Sequence, residues 1–189
     1  DVEGALRAVK ERGVGPNFAL FTGHGSIRGE AMGRDNRAPS DAELAQMKET
    51  LRAALEAGAL GLSTGLYYAP ASYASTNEII ELAKIAAEYD ALYESHIRDE
   101  SSYSIGLLGA VEEAIEIGRQ SGAGIHIAHI KALGVDVWGQ SEAVIAAIEA
   151  AQADGLAVTA DQYPWSASGT RISNALIPNW AKADSDQAM

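Results

Sequence analysis

Two histidines occupy equivalent places in two apolar segments of the sequence. Residues 91–98 read ALYESHIR and residues 125–131 read IHIAHIK, so each segment ends in a histidine followed two residues later by a cation. Neutral imidazole is a ligand for zinc, iron and nickel alike, and a pair of imidazoles therefore indicates a metal centre of unspecified metal. A zinc site needs at least three protein ligands, so the pair alone is incomplete. We take His96 and His129 as candidate metal ligands.

Further polar side chains lie on or just beyond these segments. Arg98 and Lys131 could bind a carboxylate, Arg98 in bidentate fashion, and each is explained equally well as a surface charge. Asp161 follows another apolar run and could be a metal ligand, a base or a turn former. Side chains alternate along a strand, so if His129 points into the site, we expect His126 to face the helix layer in a structural role.

The remaining candidates have simpler structural explanations. Asp99 and Glu100 are predicted to lie in a solvated loop or to cap the following helix. His24, between two glycines, is either part of a backbone turn or a partner of the metal ligands. Some aromatic side chains could line a pocket but are more often only packed: Tyr67, Tyr68 and Trp138.

The elements that would position these residues follow one another as strand, loop and helix. Short apolar runs predict strands, and the spacing of apolar residues between them predicts helices. Two capping boxes, Ser40–Glu43 and Ser75–Glu78, mark helix starts. Residues 23–28 are predicted to form a glycine-rich loop without the spacing of a phosphate-binding motif. The predicted strands are 17–22, 60–63, 91–96, 125–129 and 156–160, and the helices are 2–12, 41–57, 78–89, 104–121 and 141–153, with the chain after 165 loop-like.

This alternation predicts an α/β fold with a parallel sheet. Strands at spacings of roughly 30 residues fit either a doubly wound sheet or part of a (β/α)8 barrel. A barrel needs about 200–250 residues, so five strands would be an incomplete one. Because the sequence starts as a helix would, we expect residues 1–189 to be a single partial barrel domain from a longer chain.

Composition narrows the classes of function. The net charge of −12 argues against nucleic acid or an anionic membrane as partner, since either needs a basic face. There is no cysteine, which excludes disulfides and thiolate metal sites within the chain. With neither an apolar run of about 18 residues nor a signal-peptide pattern, a cytoplasmic location is the expectation.

Several motifs, in this order, resemble the N-acyl-D-amino-acid deacylase (D-aminoacylase) family of the amidohydrolase superfamily. The resemblance covers nearly the whole chain, and its most specific part is the Ser-Thr-Gly-Leu-x-Tyr-x-Pro stretch that starts at Ser63. The motifs are GHGSIR at 23–28, GALGLSTGLYYAP at 58–70, SHIR at 95–98, AHIK at 128–131, WG at 138–139 and DQYPW at 161–165.

The resemblance implies a metal-dependent TIM-like barrel, usually with zinc, of which this chain would supply about strands three to seven. His96 and His129 match the histidines that hold the tightly bound metal, with one or two metals partly liganded from outside this chain. Lys131 and Tyr163 match positions near the substrate, Tyr163 as a group that polarises the scissile carbonyl or binds the substrate carboxylate. The family's strand-one histidines, strand-two cysteine, strand-eight aspartate base and β-sandwich have no counterpart here.

The implied reaction is hydrolysis of the linear amide of a small-molecule N-acyl-D-amino acid to a carboxylic acid and a free D-amino acid, and this segment alone would be inactive. One alternative is a cyclic-amide hydrolase. It usually carries a carboxylated lysine on strand four, but Leu60–Ser63 contains no lysine. The other alternative is a barrel-derived binding domain without metal.

Overall fold

The computed structural model describes residues 2–182, and its centre is one parallel sheet. Five strands lie side by side in chain order, and each is hydrogen-bonded in parallel to the next. A doubly wound sheet would reverse its strand order at a switch point, and this sheet has no reversal. The strands are β1 Thr22–Gly23, β2 Gly61–Gly65, β3 Leu92–His96, β4 Gly124–Ile127 and β5 Val158–Ala160.

Helices connect successive strands, and the second to the sixth helix of the chain each contact the next one. Strands in chain order with helices between them are the winding of a (β/α)8 barrel, so the predicted α/β, barrel-type fold is confirmed. No helix within the described range is long and apolar enough to cross a membrane. The helices are α1 Val2–Arg12, α2 His24–Met32, α3 Asp41–Glu56, α4 Thr76–Glu88, α5 Gly106–Ser121, α6 Ser141–Ala153, α7 Ile172–Leu176 and α8 Asn179–Lys182.

The core lies between the helices and one face of the sheet. Alternate strand residues such as Tyr93, Ile125 and Ile127 are buried among the apolar faces of α3, α4 and α5. Their neighbours Glu94 and His126 remain partly exposed on the other face. Because successive side chains of a strand point to opposite faces, one face of the sheet is covered by helices. The other face is polar and is not covered by the described residues.

Several secondary-structure predictions differ from the structure. Residues 23–28 are not a loop, because helix α2 begins directly after β1 at His24. The strand predicted at 17–22 shrinks to its last residue plus Gly23. Residues 172–176, predicted as loop, form α7. In α2, the buried side chains of Ile27 and Met32 anchor a helix whose glycines gave no local helical signal.

The two predicted capping boxes behave differently. At α3, the Ser40 hydroxyl accepts the Glu43 N–H and the Glu43 carboxylate accepts the Ser40 N–H, which is the complete reciprocal box. At α4, Ser75 accepts the Glu78 N–H at 3.2 Å, but the Glu78 carboxylate does not return the bond. It turns inwards to a buried ion pair instead.

That ion pair joins α2 to α4. Arg28 Nη1 donates to both carboxylate oxygens of Glu78, at 2.6 and 2.8 Å, and His24 Nε2 lies 2.8 Å from Oε1. Arg28 also donates to the carbonyls of Asp35 and Arg37. Burial raises the pKa of Glu78, but the bonds from His24 and Arg28 outweigh it and hold that pKa below its usual value. His24 is therefore a structural partner of Glu78 and not part of a turn.

Replacing Glu78 with glutamine should strongly destabilise the fold. The change leaves the Arg28 guanidinium, which has no exposed side-chain surface, without its counter-charge. Breaking one side of a buried pair costs roughly 3–5 kcal/mol. Urea unfolding of the full-length protein measures the loss. Glu81→Gln, which removes a surface carboxylate from the same helix, should cost only about 0–1 kcal/mol. Equal losses would contradict a special role for the buried pair.

The same carboxylate should make stability depend on pH. Because its folded-state pKa lies below the ordinary glutamate value of about 4.5, its contribution is complete above that pH. As the pH falls below 4.5, the unfolded chain takes up the proton first and the contribution is lost. Unfolding free energies of wild type and Glu78→Gln, measured from neutral pH downwards, should therefore converge in acid. A constant difference would show that folding does not lower the pKa of Glu78.

Candidate metal centre

The structure brings the two candidate imidazoles together. His96 Nδ1 and His129 Nε2 lie 3.1 Å apart, with ring centroids separated by 4.7 Å. β3 and β4 are parallel neighbours, so their carboxyl ends meet at one edge of the sheet. Two nitrogens on a tetrahedral zinc, at bonds of about 2.0–2.1 Å, lie about 3.3 Å apart. The observed separation fits a shared cation.

His129 reaches this position through an unusual backbone conformation. β4 ends at Ile127, and His129 has φ +40°, in the left-handed region that few non-glycine residues adopt. The Asp161 carboxylate accepts the His129 N–H, and the Ile130 N–H bonds to the Asp161 carbonyl at 2.9 Å. These bonds, from the end of β5, hold the turn that aims the His129 ring at His96.

The prediction that His126 faces the helix layer is wrong. Its register partners are Glu94 and Thr159, on the face opposite the helices. His126 Nδ1 lies 2.8 Å from the Thr159 hydroxyl, and Nε2 lies 3.1 Å from Asp161 Oδ2. The prediction assumed that side chains alternate between the two faces of the sheet as far as His129. The strand ends at Ile127, so the alternation does not extend to His129.

Asp161 serves the backbone. The sequence left three roles open for Asp161: metal ligand, base or turn former. Its contacts are those of a turn former, because the carboxylate is bonded to the His129 N–H and to the His126 ring. The His129 N–H, and then His126, hold the pKa of Asp161 below its usual range.

Glu100 is a member of the site that sequence reasoning missed. Lys131 Nζ donates to Glu100 Oε1, which lies 3.5 Å from His129 Nδ1, while Glu100 Oε2 lies 3.8 Å from His96 Nε2. His96, Glu100 and His129 offer ligand atoms within 4.8 Å of one another. The only signal in the sequence was an acidic residue four positions after a candidate ligand.

The loop after β3 turns Glu100 inwards. The neighbouring Asp99 carboxylate accepts the N–H groups of Ser101, Ser104 and Gly106, the last being the first residue of α5. The predicted helix-capping role is thus confirmed for Asp99, while Glu100 lies buried beside the imidazoles and not in solvent. Burial raises the pKa of Asp99, but these backbone bonds outweigh it and lower the pKa below its usual value.

The local electrostatics leave an imidazole lone pair free for a cation. Burial, assisted by His129 and the Lys131 ammonium, lowers the pKa of His96 to about 3. His96 is therefore neutral at physiological pH, which is the form that binds metals. Burial raises the pKa of Glu100, and Lys131 and His129 oppose that rise. The donor set suits a divalent metal such as zinc.

The imidazoles open into a cavity of about 530 Å³. The Lys131 ammonium lies 5.5 Å from the centre of the Tyr163 ring, and the Tyr68 ring lies 4.9 Å from that of His96. Trp138 is largely exposed and does not line the cavity. The cavity thus combines a metal-type donor pair, a cation and aromatic walls. Its polar and aromatic lining consists of Tyr67, Tyr68, His96, Glu100, Tyr103, His129, Lys131, Tyr163, Trp165, Ser168 and Thr170.

Arg98, a predicted substrate-binding residue, does not line the cavity. Its Nε donates to Oε2 of Glu113 on α5 and its Nη2 donates to Oε1, each at 2.8 Å. Its Nη2 also donates to the carbonyl of Ala74 at 3.0 Å, and Nη1 to that of Ser72 at 3.3 Å. Arg98 therefore fixes the connection between β2 and α4, which carries Tyr67 and Tyr68, against α5.

Replacing Arg98 with methionine should reduce stability, because it leaves the largely buried Glu113 carboxylate without its counter-charge. A loss of roughly 3–5 kcal/mol in chemical denaturation of the full-length protein is expected. Arg119→Met is the matched control, since it removes an exposed pair with Glu116 on the same helix. If Arg98→Met has unchanged stability and binds substrate more weakly, the result would support a substrate-binding role for Arg98.

The chain resembles known proteins in both sequence and structure. It is 35% identical over 167 residues to the D-aminoacylase of Alcaligenes xylosoxydans xylosoxydans and 39% identical over 165 residues to the N-acyl-D-glutamate deacylase of the same organism. These matches cover 88% and 87% of this chain, but 34% and 32% of the relatives. The chain thus spans about a third of their length. No family model matches it.

Known structures of deacylases superpose on this chain, in agreement with the sequence comparison. The N-acyl-D-glutamate deacylase of Bordetella bronchiseptica, complexed with zinc and a phosphonate mimic of the tetrahedral intermediate, superposes with a TM-score of 0.82 at 41% identity, over 87% of this chain and 34% of that one. A D-aminoacylase studied for its binuclear metal centre gives 0.81 at 34% identity, over the same shares. An L-hydantoinase at 15% identity and a TM-score of 0.54 shares the fold alone. The chain is a homologue of the N-acyl-D-amino-acid deacylases of the amidohydrolase superfamily.

Proposed function

We propose that the protein containing this chain is a zinc-dependent hydrolase of N-acyl-D-amino acids. It cleaves the linear amide to a carboxylic acid and a free D-amino acid. The observation that carries the proposal is the 3.1 Å approach of His96 Nδ1 and His129 Nε2 at the wall of a substrate-sized cavity. The relatives' names supply the substrate class: D-aminoacylase, N-acyl-D-glutamate deacylase and N-acyl-D-aspartate deacylase.

His96 and His129, whose Nδ1 and Nε2 atoms face each other, would hold the metal. Zinc, when bound, polarises the amide carbonyl and lowers the pKa of bound water to about 7. The neutral His96 ring keeps a lone pair available, and the Asp161 carboxylate holds the His129 main chain in place. Further ligands and an aspartate general base are expected outside this chain, as the family resemblance implies.

Lys131 and Tyr163 provide the substrate-binding side of the cavity. The Lys131 ammonium is the charge opposite to that of an amino-acid carboxylate, and the Tyr163 ring lies beside it. The aromatic walls formed by Tyr67, Tyr68 and Trp165 suit an acyl chain or an apolar side chain. Arg98 has no part in this proposal, because its guanidinium is bonded to Glu113. Cytoplasmic location stays a prediction from the sequence.

Amine release from N-acetyl-D-amino acids and from their L-enantiomers tests the proposal. The full-length protein should hydrolyse the D-series, lose activity after chelation and regain it with zinc. His96→Asn and His129→Asn should each lose zinc and activity, because each substitution removes one of the two imidazoles that hold the same cation. Metal content is measured by elemental analysis alongside the rates.

His126→Asn is the matched control. It removes an imidazole from β4 that contacts Thr159 and Asp161 and does not line the cavity, so zinc should be retained. Amine release confined to L-substrates, or a full-length protein that binds no transition metal, would contradict the proposal.

A further inference from the structure

We propose that the acyl group of the substrate is a long aliphatic chain, and that this chain leaves the cavity over an apolar patch on the loops that follow β3 and β4. This rim patch consists of Tyr103, Ile105, Val135 and Trp138. The inference rests on the proposed amide hydrolysis and names the acyl half of its substrate.

The rim patch exposes four large apolar side chains on two adjoining loops. Tyr103 and Val135 are each 70% exposed, Trp138 is 67% exposed and Ile105 is 47% exposed. A single exposed apolar residue is ordinary in a protein, whereas a cluster of them is typical of a binding surface. The two loops follow the carboxyl ends of β3 and β4, which is also where the candidate metal site lies.

Val135 and Trp138 form one continuous apolar surface. The chain makes a short 3₁₀ turn at Val135–Val137, and the Trp138 N–H bonds to the Val135 carbonyl at 3.4 Å. Side chains three residues apart lie on the same side of a 3₁₀ turn. Val137, on another side of the turn, is buried and anchors it. The turn therefore holds the two exposed side chains together.

The two loops are bonded to each other, so the exposure does not come from a loose segment. The Ser102 hydroxyl donates to the Asp136 carboxylate at 3.0 Å, and the Leu133 N–H bonds to the Glu100 carbonyl at 2.7 Å. These bonds join the loop that carries Tyr103 to the loop that carries Val135. A rigid apolar surface loses little conformational entropy when a ligand covers it.

The rim patch is continuous with the cavity. Tyr103 belongs to both, since it lines the cavity while most of its surface is exposed. Leu133 and Gly134, which immediately precede Val135, also line the cavity. A ligand that fills the cavity and extends past Tyr103 therefore meets further apolar surface.

Of the two variable groups of an N-acyl-D-amino acid, the acyl group is the one that has the length to reach the rim patch. An amino-acid side chain is bounded in size, and a cavity of about 530 Å³ with aromatic walls accommodates it. An acyl chain has no such bound, and its methylenes gain free energy from apolar surface that they cover. The four side chains of the patch carry no charge, and the neighbouring Asp136 carboxylate is bonded to Ser102. The patch therefore suits an uncharged tail.

The position of the rim patch favours a ligand over the remaining strands of a barrel. Strands that complete a barrel pair with its two open edges, which in this sheet are β1 and β5. The rim patch follows β3 and β4, in the middle of the described sheet. Closing the barrel therefore does not by itself cover it.

The first experiment varies only the substrate. The full-length zinc enzyme is assayed with the N-acetyl, N-hexanoyl and N-decanoyl derivatives of the D-amino acid that it hydrolyses fastest in the acetyl series, at concentrations too low for micelles. Full burial of a methylene strengthens binding roughly fourfold, so one-sided contact should give roughly twofold per methylene. From acetyl to decanoyl, kcat/KM should rise by roughly 30- to 300-fold, mainly through a lower KM.

The second experiment removes the apolar surface. Val135→Ser and Trp138→Ser should each lower kcat/KM for the decanoyl substrate by roughly tenfold. Both should leave the acetyl substrate within about twofold, because an acetyl group does not extend beyond the cavity. Val14→Ser is the matched control, since Val14 is also exposed, at 51%, but precedes β1 and does not line the cavity. It should change neither rate.

The outcomes separate this inference from the proposed function. Rates that do not depend on acyl length refute the inference and leave the hydrolase proposal intact. A dependence on acyl length that survives both serine variants refutes the assignment to the rim patch. Serine variants that change the mass measured by light scattering, or the stability in urea, without changing the acyl preference would place a second copy or the rest of the chain on the patch. No hydrolysis at any acyl length refutes both proposals.

Discussion

The whole site depends on a constraint of parallel sheets, which is that the carboxyl ends of neighbouring strands lie at the same edge. β3 and β4 place one histidine each at that edge, and the rings approach because the strands are hydrogen-bonded neighbours. The other contacts adjust this arrangement. Asp161 sets the main-chain turn at His129, and Asp99 turns the loop that carries Glu100.

The stabilising charges lie away from the cavity and hold the elements around it. The Arg28–Glu78 pair joins α2 to α4, and Arg98–Glu113 joins the connection after β2 to α5. Both arginines also donate to backbone carbonyls, so each fixes a loop as well as a helix. The framework that presents the cavity is therefore tied by buried ions, in addition to its apolar core.

Local and periodic features were predictable from the sequence. The spacing of apolar residues identified α1, α5 and α6, and the Ser40 capping box placed the start of α3. The histidine pair followed from two similar segments, because strand order alone makes such positions meet. The (β/α)8 winding became certain only with the sheet order, since five strands in sequence fit two architectures.

Features set by tertiary contacts were not predictable. Helix α2 was missed because its glycines carry no helical signal and its anchors are buried against other elements. Glu100 was assigned to a solvated loop or a helix cap because only the fold shows a loop side chain turning towards two rings. The side of the sheet on which His126 lies was misjudged because the alternation ends at Ile127, where no residue marks the change.

The left-handed backbone at His129 restricts how this centre can be lost in evolution. Asparagine, aspartate and glycine tolerate that conformation, whereas β-branched residues are strained in it. A descendant that abandoned metal chemistry without losing its fold would therefore drift towards those three residues at this position. In a genome, such a replacement would distinguish a well-folded pseudoenzyme from a gene in decay.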